Sequence, residues 1–205
     1  MHREDLLKLL DDHETHFMEE AGYVQRARRW ILANPQIFDR KQSIHVTASA
    51  WVINPDITRI FMVHHGRLHQ WFQPGGHADG DNDVMRVALR EASEESGLDA
   101  EHIRLLSQRI FDVDLHSVPD TEVAPAHGHI DIRFLVEADD SLPVPGSHES
   151  HEVRWLALRE ATTYNSNRST WRMVEKTRRL RMALQHGHLI DAVVGSLTGR
   201  ARRFA

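Results

Sequence analysis

A chain of 205 residues, 40% hydrophobic and 27% charged, is long enough for one domain with a sizeable core, or for one domain carrying an extra helical segment. No apolar run approaches a membrane span, and the opening Met1-His2-Arg3-Glu4-Asp5 is charged, unlike a secretory leader. The absence of cysteine excludes disulfides and thiolate metal sites, so a cytoplasmic protein is expected. A net charge of -5 argues against a surface that coats nucleic acid, though not against one nucleotide bound through a metal.

Residues 5–32 read as one or two helices. Leu6, Leu7, Leu9 and Leu10, then Phe17, Met18, Ala21, Val24, Trp30 and Ile31, recur at roughly helical spacing, and Asn34-Pro35 stops the run. This segment, 1–40, is expected to pack on the domain or on a second copy of the chain, C2 pairing being the common form of homodimer. It could also build one wall of a substrate pocket. The stretch 44–53 is strand-like, Asn54-Pro55-Asp56 turns, and 59–65 returns as the second strand of a hairpin. A short aromatic strand over 68–72 follows, with Trp71 and Phe72 on alternate faces and expected in the core. It leads into Pro74-Gly75-Gly76, where two glycines after proline permit close backbone approach.

Asp81, Asn82 and Asp83 are good N-cap residues, 84–96 holds neither Gly nor Pro, and Gly97 supplies a left-handed stop, so 84–96 is a helix. At about 100° per residue, Glu91, Glu94 and Glu95 share one arc beside an apolar arc of Met85, Ala88, Leu89 and Ala92. Crowded carboxylates repel one another, and a hard divalent cation reverses that sign while leaving positions for phosphate oxygens. A solvated acidic helix face is the plainer alternative.

Residues 103–115 are expected as a long strand or a bent pair, and 116–125 as a polar loop. Along 126–136, His127, His129, Asp131 and Arg133 share one side of a strand and Ile130, Ile132 and Phe134 the other. Such donors in line suit a phosphate or ribose, which makes His127, His129 and Arg133 candidate substrate contacts. A solvent-facing sheet side would have the same pattern. Sixteen histidines are many for this length, and His64-His65, His127-x-His129 and His148 with His151 are the pairs able to ligate a metal. A loop over 139–148 precedes a last strand, 153–158. Ser169 then caps a helix over 170–185 with Trp171, Val174, Leu180 and Leu184 as packing residues, and 188–205 forms a tail with a small helix.

The stretch 76–98 resembles the Nudix hydrolase signature, G-x5-E-x7-R-E-U-x-E-E-x-G-U, without gaps. Gly76, Arg90, Glu91, Glu94, Glu95, Gly97 and Leu98 match; Ala92 is a small substitute for the aliphatic U, and Asn82 stands at the first Glu. Gln-Pro-Gly-Gly-His over 73–77 and the pattern around His127 are similar to one group within this family. The resemblance implies an α/β/α sandwich with a mixed sheet over 41–187 and divalent metals, Mg²⁺ or Mn²⁺, on Glu91, Glu94 and Glu95. It also implies a Gly76 carbonyl as further ligand and Arg90 orienting a carboxylate. A further Glu, often found before the tryptophan of the last strand as ligand or general base, would be Glu149 or Glu152. Asn82 puts any contact of the first Glu in doubt, with Asp79, Asp81 and Asp83 near enough to compensate.

The reading these residues favour is metal-dependent hydrolysis of a diphosphate bond in a nucleoside diphosphate linked to another group. A non-catalytic Nudix-fold nucleotide-binding module, suggested by Asn82, and a histidine-based metal-binding protein are the alternatives.

Overall fold

The computed structural model describes residues 2–66, 68–120, 125–146 and 150–197. Helices α1 (Arg3–Asp11) and α2 (Met18–Ala33) come first, and α2 ends where Asn34 turns extended before Pro35. Leu6, Leu10, Ala27 and Ile31 of these helices are fully buried in the main core, so they pack against the sheet of their own chain. β1 (Ile44–Ile53) and β2 (Arg59–His65) form the expected hairpin. Its turn is braced by the Asn54 side-chain carbonyl, which accepts from the amides of Thr58 and Arg59.

β3 (Trp71–Phe72), β4 (Gly75–His77) and α3 (Val84–Ser96) follow. Next come β5 (Ile103–Leu105), β6 (Asp112–Val118), β7 (His127–Ala138) and β8 (Ser150–Ala157). Helices α4 (Ala161–Tyr164), α5 (Arg168–Gln185) and α6 (Ile190–Leu197) complete the described chain. None of the described helices is long and apolar enough to cross a membrane.

β1 is the axis of the sheet. One edge runs parallel to β7 from Ile44 opposite Gly128 to Ile53 opposite Glu137. The other edge is shared: β4 pairs with Thr47, Ala48 and Ser49, and β2 takes over at Ile53. The sheet therefore splits beside β1, with β8, β2 and β3 continuing on the far side of the split. α3 covers one face, where Val84, Val87, Ala88 and Ala92 meet Val46, Ala48, Ala50, Ile130 and Ile132. α5 and α6 cover the other, where Met173, Val174, Leu180, Val193 and Val194 meet Trp51, Ile60, Met62 and Leu135. This is the expected α/β/α sandwich, and its two cores follow from the period-two alternation of β1 and β7.

Of the long strand or pair of strands expected over 103–115, the pair is found, because β5 and β6 pair with successive parts of the same edge of β7 and the chain leaves the ladder between them. Two local expectations change. β6 runs on through His116 to Val118, since β7 already offers a partner at His127. On α5, Val174 and Leu180 are buried and Leu184 packs against them as expected, but Trp171 is 43% exposed, and the buried face also takes in Arg172, Met173, Lys176 and Thr177. Carboxylates beneath the helix explain the two buried cations. Lys176 Nζ lies 2.7 Å from Glu20 Oε1 and 2.9 Å from Asp112 Oδ2, and Arg172 Nε lies 2.7 Å from Asp112 Oδ2. Buried charges persist where they are paired and hydrogen-bonded, as these are.

Candidate active site

α3 has the boundaries its sequence dictates. Asp83 Oδ1 accepts from the Arg86 amide at 3.2 Å, and Gly97 closes the helix at φ 73°. The buried face of the helix is set against β1, which leaves the signature carboxylates beside β4. There the Gly75 amide donates to Glu95 Oε2 at 2.9 Å. A Cβ on Gly76 would stand 2.6 Å from Glu91 Oε1, so only glycine admits that carboxylate so close to the strand. Arg90 joins the two elements: its Nη2 donates to the His77 carbonyl at 3.0 Å and to Glu91 Oε1 at 2.6 Å, and its Nε lies 3.8 Å from Glu94 Oε2. The Glu91 hydrogen bond raises the Arg90 pKa above its ordinary value. Glu91 is mostly covered, with 14% of its side chain exposed, while Glu94 is 60% exposed.

Gly76, Arg90, Glu91, Glu94 and Glu95 are thus brought together. Asn82 is exposed in the loop before α3. Each neighbouring aspartate is engaged: Asp79 lies 3.3 Å from Arg40 Nε, Asp81 accepts from Arg86 Nη2 at 2.6 Å, and Asp83 caps the helix. Glu152 lies within β8 rather than in a loop before it, opposite His64 and paired with Arg154. Glu149 and His148 lie outside the described residues. A cavity of about 520 Å³ opens between α1, the start of α3 and residues 108–110, and none of the predicted site residues lines it.

Arg133 is buried beneath the polar face of β7, with Nε 2.7 Å from Asp131 Oδ2, Nη1 3.4 Å from Asp112 and Nη2 3.3 Å from Asp114. Burial alone would raise the Asp114 carboxyl, but Arg133, His116 and Arg172 hold it well below the usual range. The Thr47 and Ser49 hydroxyls donate to Asp131 Oδ1, at 3.1 and 2.8 Å. Above this network His127 and His129 meet two histidines that sequence reasoning did not single out, His45 and His77. Their signal is register alone: His45 is opposite His129 in the β1–β7 ladder, and His77 is opposite Thr47 in the β1–β4 ladder. Burial pushes the His77 imidazole down to about 4 and His129 to about 2, with neighbouring charges adding to it, and it lowers His45 as well.

Comparison with known proteins agrees with this geometry. The family model described as NUDIX domain matches residues 43–177. A probable DHNTP pyrophosphohydrolase of Lactococcus lactis subsp. cremoris is 26% identical over 67% of this chain and 71% of its own length. The asymmetrical bis(5'-nucleosyl)-tetraphosphatase of Mus musculus is 29% identical over 59% of this chain and 71% of its own. Among solved structures, a C. elegans Ap4A hydrolase binary complex shares the fold with a TM-score of 0.53 and 16% identity. The match covers 70% of this chain and 98% of that one. The signature predicted α3 and its carboxylates, the sandwich puts them against β4, and the family model spans both: the chain belongs to the NUDIX domain family and is a Nudix hydrolase.

Proposed function

We propose that the protein hydrolyses a diphosphate bond in a nucleoside diphosphate linked to another group, using Mg²⁺ or Mn²⁺ held by Glu91, Glu94 and Glu95. The observation that carries the reading is the clamp on the carboxylates: Gly75 N on Glu95, Arg90 on Glu91, and the space that Gly76 leaves. The residues fit such an ion, because the donor set is all oxygen, which a hard cation prefers, and the Gly76 carbonyl is the further oxygen assigned to it. When bound, the metal supplies charge neutralisation at the phosphates and a lowered pKa for the attacking water.

The chain's own residues do the rest. Arg90 holds Glu91 in place and ties α3 to the β4 backbone. Glu149, which lies outside the described residues, then Glu152, or one of the α3 glutamates is the proposed acceptor of the water's proton, a contribution of about 10² to 10⁴ in rate. Arg133 is committed to three aspartates, and its proposed part is to fix the Asp131 carboxylate beside Ser49 and Thr47 rather than to touch substrate. His127 and His129, the expected substrate contacts, lie beside His45 and His77. The names of the relatives, a DHNTP pyrophosphohydrolase and a bis(5'-nucleosyl)-tetraphosphatase, support a phosphoanhydride substrate, and the second supports one bearing a nucleoside.

The test is a phosphate-release screen of nucleoside diphosphate derivatives with Mg²⁺ or Mn²⁺, coupled to a phosphatase and run beside Glu95→Gln. Metal-dependent turnover confined to the unmutated protein supports the reading. Silence across the panel, or equal turnover in Glu95→Gln, overturns it.

A further inference from the structure

The imidazoles of His45, His77, His127 and His129 come from three strands and converge on one face of the sheet. A ring nitrogen of each lies within 4.8 Å of one from every other. Hydrogen-bond partners decide which nitrogen each ring offers. A carbonyl oxygen only accepts, so His127 Nδ1, 2.8 Å from the Pro125 carbonyl, and His45 Nδ1, 2.8 Å from the Gln42 carbonyl, both carry their protons. Asp114 Oδ2 likewise fixes the proton of His116 on Nδ1 at 3.2 Å. His116 Nε2 and His129 Nδ1 share one proton across 3.2 Å.

His45 and His127 therefore present Nε2 lone pairs. His127 Nε2 and His129 Nε2 stand 3.1 Å apart. His45 is 1% exposed, and its Nε2 is buried without a hydrogen-bond partner among the described residues. A buried lone pair left unsatisfied is costly, and a cation between the rings satisfies it while drawing in the neighbouring imidazoles. The outer partners, two backbone carbonyls and an Asp114–His116 relay, are of the kind that orient ligating histidines.

We propose that His45, His127 and His129, completed by His77, form a tetrahedral site for a zinc-type divalent transition ion, distinct from the carboxylate site on α3. Four neutral imidazoles suit zinc and offer nothing to Mg²⁺, which takes oxygen. Nitrogens about 2.0–2.1 Å from a tetrahedral ion stand about 3.4 Å apart, so the His127–His129 pair is already close to that spacing and the wider pairs draw inward. Arg40 Nη2 now donates to His77 Nδ1 at 3.3 Å. Its side chain is 57% exposed and already paired with Asp79, the direction in which it turns when the ion arrives. Because His77 follows Gly76, the ion fastens β4 across β1 to β7 and steadies the strand against which Glu91 and Glu95 are set.

The test is a zinc titration of the full chain, stripped with chelator and held in excess Mg²⁺, read by calorimetry and by the visible spectrum of the Co²⁺ form. The expected result is one ion per chain with tetrahedral Co²⁺ bands, retained in the Glu91→Gln, Glu94→Gln, Glu95→Gln triple variant. His127→Gln and His129→Gln, at part-exposed positions, should each weaken binding by more than about 100-fold, beyond the loss of an outer partner. His45→Gln should do the same, and the two part-exposed variants carry the test if it does not fold. No zinc bound, unchanged binding in His127→Gln and His129→Gln, an octahedral Co²⁺ spectrum, or loss of binding in the triple carboxylate variant would each overturn the proposal.

Discussion

The Gly75 amide donates to Glu95 Oε2 at 2.9 Å, so a backbone group of β4 orients a helix carboxylate. Glu95→Gln keeps the shape of the side chain and removes its charge. Turnover is expected to fall by at least about 100-fold, the scale of losing one positioned catalytic group, while the thermal midpoint moves little. Steady-state rates and a melting curve on the same preparation check both halves.

Gly76→Ala tests the close approach from the other side. The new Cβ meets Glu91 Oε1 at 2.6 Å, and the carboxylate has to withdraw. The Mn²⁺ concentration giving half-maximal turnover is expected to rise by about 10- to 100-fold, as for loss of support to a metal ligand. An unchanged metal requirement would remove Glu91 from the proposed ligand set.

Lys176 and Arg172 answer Glu20 and Asp112 inside the molecule. Lys176→Met leaves two buried carboxylates short of a partner, and stability is expected to drop by about 3–5 kcal/mol. Urea unfolding at neutral pH gives the number directly. A loss below about 1 kcal/mol would mean that water or a rearranged Arg172 takes over.

Acid should act on the same network. Burial alone would raise the Glu20 carboxyl, yet hydrogen bonds and charge from His13 and Lys176 hold it well below its ordinary value of 4.5. Asp114 is likewise held below 3.8. A depressed carboxylate contributes stability that is fully present above its unfolded value and is lost as pH falls toward the folded one. The urea midpoint should therefore begin to fall below about pH 5 and fall less steeply in Glu20→Gln. Equal slopes in the two proteins would show that Glu20 contributes nothing to the acid response.

How much was legible in the chain depended on how local each cause was. Val84–Ser96 could be read to the residue because cap, interior and stop lie within one short stretch, and helical spacing put Glu91, Glu94 and Glu95 on one arc, while their proposed part came from the resemblance to the Nudix signature. His45 and His77 could not be joined to His129, since only the strand pairings bring them together. Arg172 and Lys176 were illegible for a related reason. A cation on a helix reads as solvent-facing until the carboxylates that meet it, here from α2 and β6, are known. The early end expected for β6 failed because its length is set by β7, its partner, not by its own residues.

The pairing of Glu20 with Lys176 spans 156 positions of the chain. During synthesis, α2 emerges early with a carboxylate that has only the nearby His13 for a partner until α5 brings Lys176. The strands that carry Gly75 and Asp131 are complete before then, but the charges beneath them are not yet balanced. Closure of the fold must wait for that late helix, so its rate should be governed by long-range docking rather than by the quick local helices, and a nascent chain stopped before Lys176 should remain open to proteases.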